Sequence, residues 1–240
     1  MSLVMLRITR QMLLALDTST RVISLALHDG LAVMVESTWR TANHHTVELA
    51  PNTALILRRA GVEPGGLRGL AVALGPGSYT GLRIGLGLAK GLALAHNLPL
   101  FGVSTFEILM RAQPPRDERA LAVLLAGRGR IAVAAYHWDM RRKEWELEGG
   151  WRVLSWETLA AEIREPTFVC GEVDTAGGEA LRKLKGFVTL ASPAQALRRA
   201  GYLAEIGWER LRRKQADNPA NLAPFYGGQL EGSVHAGGGA

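Results

Sequence analysis

The chain has 240 residues, of which 48% are hydrophobic and 21% charged, enough apolar content for one large domain or two small ones with a real core. Its formal net charge of +6 favours anionic partners without naming one. A single cysteine, Cys170, excludes an internal disulfide framework and a cysteine-based zinc site, and points to a reducing compartment, most simply the cytoplasm.

Residues 1–11 read as a leader: Arg7 and Arg10 stand there without an apolar centre, so no signal peptide is expected, and Met5 and Met12 are alternative starts. Three β-type runs follow, Met12 to Leu16, Val22 to Leu27 and Leu31 to Ser37, the last two joined by the turn signal His28-Asp29-Gly30. A helical pattern over 45–60 places Leu49, Thr53 and Ile56 on one side; Gly61 is set to stop it, and Pro51 inside it predicts a kink or a late start. Gly69 to Leu74 reads as a buried strand, then come a glycine-rich helix, a short strand from Pro99 to Val103, and a helix capped by Ser104. The stretch Leu82 to Leu100 is not a membrane span, because Arg83, Lys90 and His96 interrupt it.

Gln113 to Arg119 is rich in proline and charge and reads as a linker. Beyond it the order repeats, with strands at Ala120 to Ala126, Ile131 to Trp138 and Glu144 to Val153, a helix from Ser155 to Ile163, a strand at Thr167 to Cys170, and helical segments from Asp174 and from Pro193. The expected organisation is a leader (1–11), two parts of the same βββαβα plan (12–112 and 113–226), and a glycine-rich tail (227–240) expected to be disordered.

The glycine-rich helix breaks a rule. Gly81, Gly85, Gly87 and Gly91 all lie inside it, and together they cost roughly 4 kcal/mol relative to alanine. That is a large share of the ~5–15 kcal/mol that holds a domain folded. Gly81, Gly85, Ala89 and Ala93 recur every fourth residue, so they give one helix face almost no bulk. Another backbone can approach that face closely, either from this chain or from another protein.

Few residues suggest chemistry. Two β-rich halves with the hydroxyl-rich turn Asp17-Thr18-Ser19-Thr20 after the first strand suggest the actin-like ATPase plan, in which such a turn cradles phosphate. The turn lacks the glycine that lets backbone approach phosphate, and it reads first as Asp17 and Thr18 closing a simple turn. Residues 75–90 contain neither a Walker A loop nor a dinucleotide fingerprint, since Lys90 stands where the third glycine is required. Ser78 lacks nucleophile-elbow flanks and reads as a helix cap. His44 and His45 are neighbours, face different sides of a helix and read as structural or interface groups, not as a metal pair. Basic runs at Arg58-Arg59, Arg128/Arg130, Arg141-Arg142-Lys143 and Arg210/Arg212/Arg213/Lys214 suit solvated faces or a polyanion, without the interleaved aromatics of a base-stacking surface.

Leu14-Ala-Leu-Asp-Thr-Ser-Thr20, His45-Thr-x-x-Leu49-x-Pro51, Gly75-Pro-Gly-Ser-Tyr-Thr-Gly-Leu-Arg-Ile-Gly85 and Gly102-Val-Ser-Thr105 closely resemble the bacterial TsaB (YeaZ) proteins of tRNA threonylcarbamoyladenosine (t6A) biosynthesis, and Pro224-Phe-Tyr226 matches the closing Pro-x-Tyr of that family. The resemblance implies an α/β fold of the actin-like ATPase (ASKHA, ribonuclease H-like) type with two related domains. It implies a cytoplasmic, non-catalytic scaffold or activating subunit that pairs with a TsaD-like catalytic subunit and a TsaE-like ATPase, forms a homodimer in isolation and meets tRNA at most indirectly. On this reading the chain alone binds no cofactor or metal, and ATP or ADP and metal belong to the partners. The implied partner or dimer interface is His45, Leu49, Thr53, Ile56, Ser78, Gly81, Arg83, Gly85 and Ala89, and Asp17, Thr18, Ser19 and Thr20 form a degenerate phosphate turn. Where many relatives carry Asp-Ala-Arg followed by Glu-Val-Tyr, this chain has Ala126-Gly127-Arg128 and Ile131-Ala132-Val133, and loss of those acids weakens the case for nucleotide or metal in the second half. A metallopeptidase-like hydrolase or a small-molecule kinase of the same fold are the alternatives. The first needs an assembled base, metal or nucleophile, the second two intact phosphate turns.

Overall fold

The computed structural model describes residues 11–42 and 44–225. The expectations for leader residues 1–10, for Tyr226 and for the tail at 227–240 lie outside the described residues. The first sheet begins with an antiparallel meander, β1 (Met12–Asp17), β2 (Val22–His28) and β3 (Val33–Arg40), with Leu14 opposite Leu27 and Ile23 opposite Trp39. At the β2–β3 turn Asp29 Oδ1 accepts from the amides of Leu31 and Ala32, and Gly30 takes a φ of +95° against the ring of Trp208.

Helix α1 (His45–Ala60) ends on Gly61 in the left-handed conformation, as its sequence predicts. It starts at His45 and continues through Pro51, so the late start that Pro51 allowed is not taken. Pro51 lies on the exposed side, so the bond it cannot donate is missing where the helix faces solvent. Strand β4 (Leu67–Gly75) pairs parallel with β1, helix α2 (Tyr79–His96) crosses over, and β5 (Leu100–Ser104) pairs parallel with β4. The resulting order is β3-β2-β1-β4-β5.

After α3 (Thr105–Arg111) the second sheet is built from β6 (Arg119–Gly127), β7 (Arg130–Asp139), β8 (Glu144–Leu147) and β9 (Arg152–Ser155), then α4 (Trp156–Glu162), β10 (Thr167–Gly171), α5 (Thr175–Arg182) and β11 (Val188–Leu190). Its order is β11-β10-β6-β7-β8 with β9 also paired to β7, so when β8 and β9 are counted together as the third strand the five strands of each half occupy equivalent places. This duplicated βββαβα plan is the actin-like fold. The run expected as one strand from Glu144 to Val153 is two strands on the two ends of β7, because Gly149 turns the chain at a φ of +71° between them.

The helical segment expected from Pro193 is a turn over 193–197, and α6 (Ala200–Arg212) starts only after Arg199, whose backbone is extended. Helix α6 then leaves the second half altogether. Ala200, Leu203, Ala204 and Ile206 pack with Leu13, Ala15, Ala26 and Ala71 on one face of the first sheet, while α1 and α2 cover the other face. In exchange, α3 sends Phe106, Leu109 and Met110 into the core of the second sheet. The boundary expected at 112/113 is therefore crossed twice, since each lobe is completed by a helix from the other half of the chain. Beyond α6 the chain follows the first sheet: the Asp217 amide donates to Leu100, its carboxylate accepts from Gly102, and the Phe225 amide donates to Leu74. Among the described residues, no helix is long and apolar enough to cross a membrane.

Candidate functional site

The hydroxyl-rich turn sits at the end of β1, in the middle of the first sheet and facing the second. Asp17, Thr18 and Ser19 are fully buried. Their polar atoms find partners inside the chain. Asp17 Oδ1 accepts from the Ser19 amide (2.9 Å) and from its hydroxyl (2.5 Å). Thr18 Oγ1 donates to the Gly81 carbonyl at 2.7 Å. The Ser19 carbonyl accepts from the Ser78 amide at 2.6 Å, and His45 Nε2 lies 2.9 Å from the Thr20 carbonyl. The remaining oxygen of Asp17 faces Arg198 Nε at 3.3 Å, and Arg198 Nη2 donates to Thr20 Oγ1.

A phosphate turn needs the opposite arrangement, with amides and hydroxyls pointing outward and room above them. Here the loop preceding α2 fills that room. A Cβ on Gly77 would overlap the Ser19 carbonyl, so only glycine lets the loop lie this close. The residues present do not fit a nucleotide phosphate. The carboxylate in the turn is paired with a buried guanidinium. In the second half the equivalent connection is an exposed hairpin, Gly127-Arg128-Gly129, with all three residues at positive φ and no acid. No cluster of histidine, cysteine or acidic residues suited to a metal occurs among the described residues.

The glycine face of α2 turns inward. A Cβ on Gly81 would meet the Thr18 carbonyl oxygen and one on Gly85 the Thr18 hydroxyl, while Ala89 lies in the core with Leu49 and Ile56 of α1. Thr53 is buried and bonds back to the Leu49 carbonyl, and His45 is buried against the turn. The expected partner interface at His45, Leu49, Thr53, Ile56, Gly81, Gly85 and Ala89 is thus corrected: these residues face into the chain, packing α1 and α2 on the first sheet and on the turn that follows β1. Of that set only Ser78, whose hydroxyl accepts from the Gly81 amide at 3.2 Å, and Arg83, stacked over the Tyr79 ring at 4.7 Å, reach the surface.

The other two helical glycines behave differently. Gly87 and Gly91 are exposed and a Cβ on either would meet nothing. They lie four residues apart on a stripe that runs from Arg83 to Ala95, flanked by the half-buried Ile84, Leu88 and Leu92. The neighbouring helix α1 presents Val47, 69% exposed, with Ala50 and Pro51. Apart from Arg83 at one end, these exposed positions on the two helices are small or apolar.

Fold and site together define a two-lobed actin-like protein whose hydroxyl-rich turn after β1 is closed by the chain itself. The family profile described as "TsaD: tRNA N6-adenosine threonylcarbamoyltransferase" matches residues 39–144. The tRNA threonylcarbamoyladenosine biosynthesis protein TsaB of Bacillus subtilis is 29% identical over 89% of this chain and 93% of its own, and that of Escherichia coli is 37% identical over 53% and 55%. The solved structure of YeaZ from Pseudomonas aeruginosa superposes with a TM-score of 0.75 at 28% identity, covering 90% of this chain and 99% of that one. The chain is thus similar to TsaB (YeaZ) proteins in sequence and fold over about nine-tenths of its length.

Arg198 is the site residue that sequence reading missed. It stands beside Arg199 in an ordinary polar stretch, and nothing local marks it for burial. The one signal was the lone acid Asp17 in a buried strand, which requires a cationic or multiply hydrogen-bonded partner somewhere in the fold.

Proposed function

We propose that this protein is a non-catalytic subunit of the t6A machinery, binding a TsaD-like catalytic subunit through the outward face of α1 and α2. The observation that carries this reading is the pair Gly87 and Gly91. Each interior glycine costs about 1 kcal/mol relative to alanine. For Gly81 and Gly85 that cost is offset by the close seat of Thr18, but for Gly87 and Gly91 nothing in the described chain offsets it. A helix from another chain lying in the groove would do so, since small residues let two helix axes approach to the lower end of the ~8–10 Å range. The same face makes a homodimer in the absence of the partner.

The closed turn supports the non-catalytic part of the reading. With Asp17 paired to Arg198, ATP or ADP and metal are assigned to the partners, a TsaD-like subunit and a TsaE-like ATPase, and tRNA contact is assigned to them as well. The names of the relatives support the assignment to t6A biosynthesis.

The test is reconstitution with the TsaD-like and TsaE-like proteins of the same organism, each omitted in turn, with t6A in tRNA measured by mass spectrometry. Modification is expected only with this subunit present, and Gly87→Trp should abolish both complex formation and modification while leaving the fold intact. Full modification without this protein, or full assembly by Gly87→Trp, would overturn the proposal.

A further inference from the structure

Arg198 stands where the chain passes from the second sheet back to the first. The strand β11 before it belongs to the second sheet, and Ala200 after it opens the helix packed on the first. Its side chain is 3% exposed. Nε faces Asp17 at 3.3 Å and Nη2 donates to Thr20, both at the end of β1. Nη1 faces Glu172 Oε1 at 3.5 Å, just beyond β10. Glu172 in turn accepts from the Leu125 amide at 3.1 Å, near the end of β6. One guanidinium thus ties the central strand ends of both lobes.

Such a group is costly to bury unless every direction of its charge is met. Here an acid from each lobe and a hydroxyl meet it, in the planar fan of directions that a guanidinium offers and an ammonium does not. The attachment continues on the first-lobe side, where the Ala200 amide donates to Ser24 Oγ at 2.8 Å and Arg199 pairs with Glu36. Glycine or alanine at position 198 would satisfy the backbone equally well. The side chain is what joins the lobes.

We propose that Arg198 is an interlobe pin: a cation supplied by the chain itself at the place where a hinged two-lobed protein needs a bridging ligand, holding the lobes closed without one. The lobe angle is then set by the fold, independently of nucleotide or metal. The pin couples the two carboxylates, so loss of charge on the second-lobe side must loosen the first-lobe turn.

Native-state hydrogen–deuterium exchange of the full chain tests this. Glu172→Gln keeps an acceptor for the Leu125 amide but removes the charge that faces Arg198. The amides of Ser19 and Ser78, in the first lobe and untouched by Glu172, are expected to exchange about tenfold faster, within the range for residues sharing one network. Amides at the centre of β7 should not change. Arg198→Ala should show the same acceleration, reversed by millimolar guanidinium ion and not by sodium chloride at equal ionic strength. Unchanged exchange at Ser19 and Ser78 in Glu172→Gln overturns the pin. So does a folded Arg198→Ala protein that guanidinium fails to protect; if that variant does not fold, Glu172→Gln decides alone.

Discussion

Alanine placed at two glycines of one helix, less than two turns apart, should move stability in opposite directions. At Gly87 a Cβ meets nothing and the position is exposed, so Gly87→Ala gains only the helix-propensity difference, about 1 kcal/mol. At Gly81 the same Cβ would lie 2.2 Å from the Thr18 carbonyl oxygen. That oxygen is backbone at the end of a fully buried strand, so it cannot rotate away as a side chain would. Overpacking of this kind costs about 1–3 kcal/mol and sometimes more, which outweighs the same gain in propensity. For a chain of this size 1 kcal/mol moves the melting temperature by about 2–4 °C, so Gly87→Ala should melt a few degrees higher and Gly81→Ala several degrees lower. Thermal melts followed by circular dichroism at low protein concentration, where self-association contributes least, read both shifts. If Gly81→Ala is stabilised as Gly87→Ala is, Thr18 does not seat on the helix and the inward assignment of the glycine face is wrong.

The two faces of α1 should separate in the same manner: Leu49→Glu puts an unpaired charge into the core and should unfold the protein, whereas Val47→Glu should fold normally and lose affinity for the TsaD-like partner in a pull-down. Ser78→Ala removes the cap of α2 and should cost about 1 kcal/mol in a denaturant titration while t6A formation persists; complete loss of t6A with assembly intact would make Ser78 catalytic. Burial pushes the Cys170 thiol up to about 12, so at pH 8 it stays protonated and the native protein should resist Ellman's reagent until it is unfolded. Fast reaction of the native protein would contradict its placement beside Met110.

Much of the fold was legible because its signals are local. The turn chemistry of Asp29 and Gly30, the caps Ser78 and Ser104, and the stop at Gly61 each act within a few residues of themselves, and each element they bound is present. The third strand of the second half is the exception, because Gly149-Gly150 is itself a local turn signal and splits the run that is expected to be one strand. The site was legible only in part. Periodicity correctly placed Gly81, Gly85 and Ala89 on one face, but a stripe of small residues has the same pattern whether its neighbour is Thr18 or another protein. What separates the cases is the distance from α2 to β1, a tertiary quantity. Gly87 and Gly91 lie about 200° around the helix from that stripe, so periodicity sets them on the opposite side but does not say which side faces the chain. Arg198 lies more than 170 positions from Asp17 and Thr20 along the chain, and no spacing rule reaches that far.

The exchange of α3 and α6 between the lobes has a practical consequence for anyone who would divide this protein. A fragment ending before α6 bares the face of the first sheet that carries Leu13, Ala15, Ala26 and Ala71, and a fragment starting after α3 leaves the second sheet without Phe106, Leu109 and Met110. Neither piece is a domain that a single cut in the chain could isolate. Produced together, however, two fragments cut within 112–118 are mutually required, each carrying the plug for the other's sheet. The chain is thereby suited to split-protein complementation, in which neither half is recovered soluble by itself and one reassembled whole is recovered from the pair.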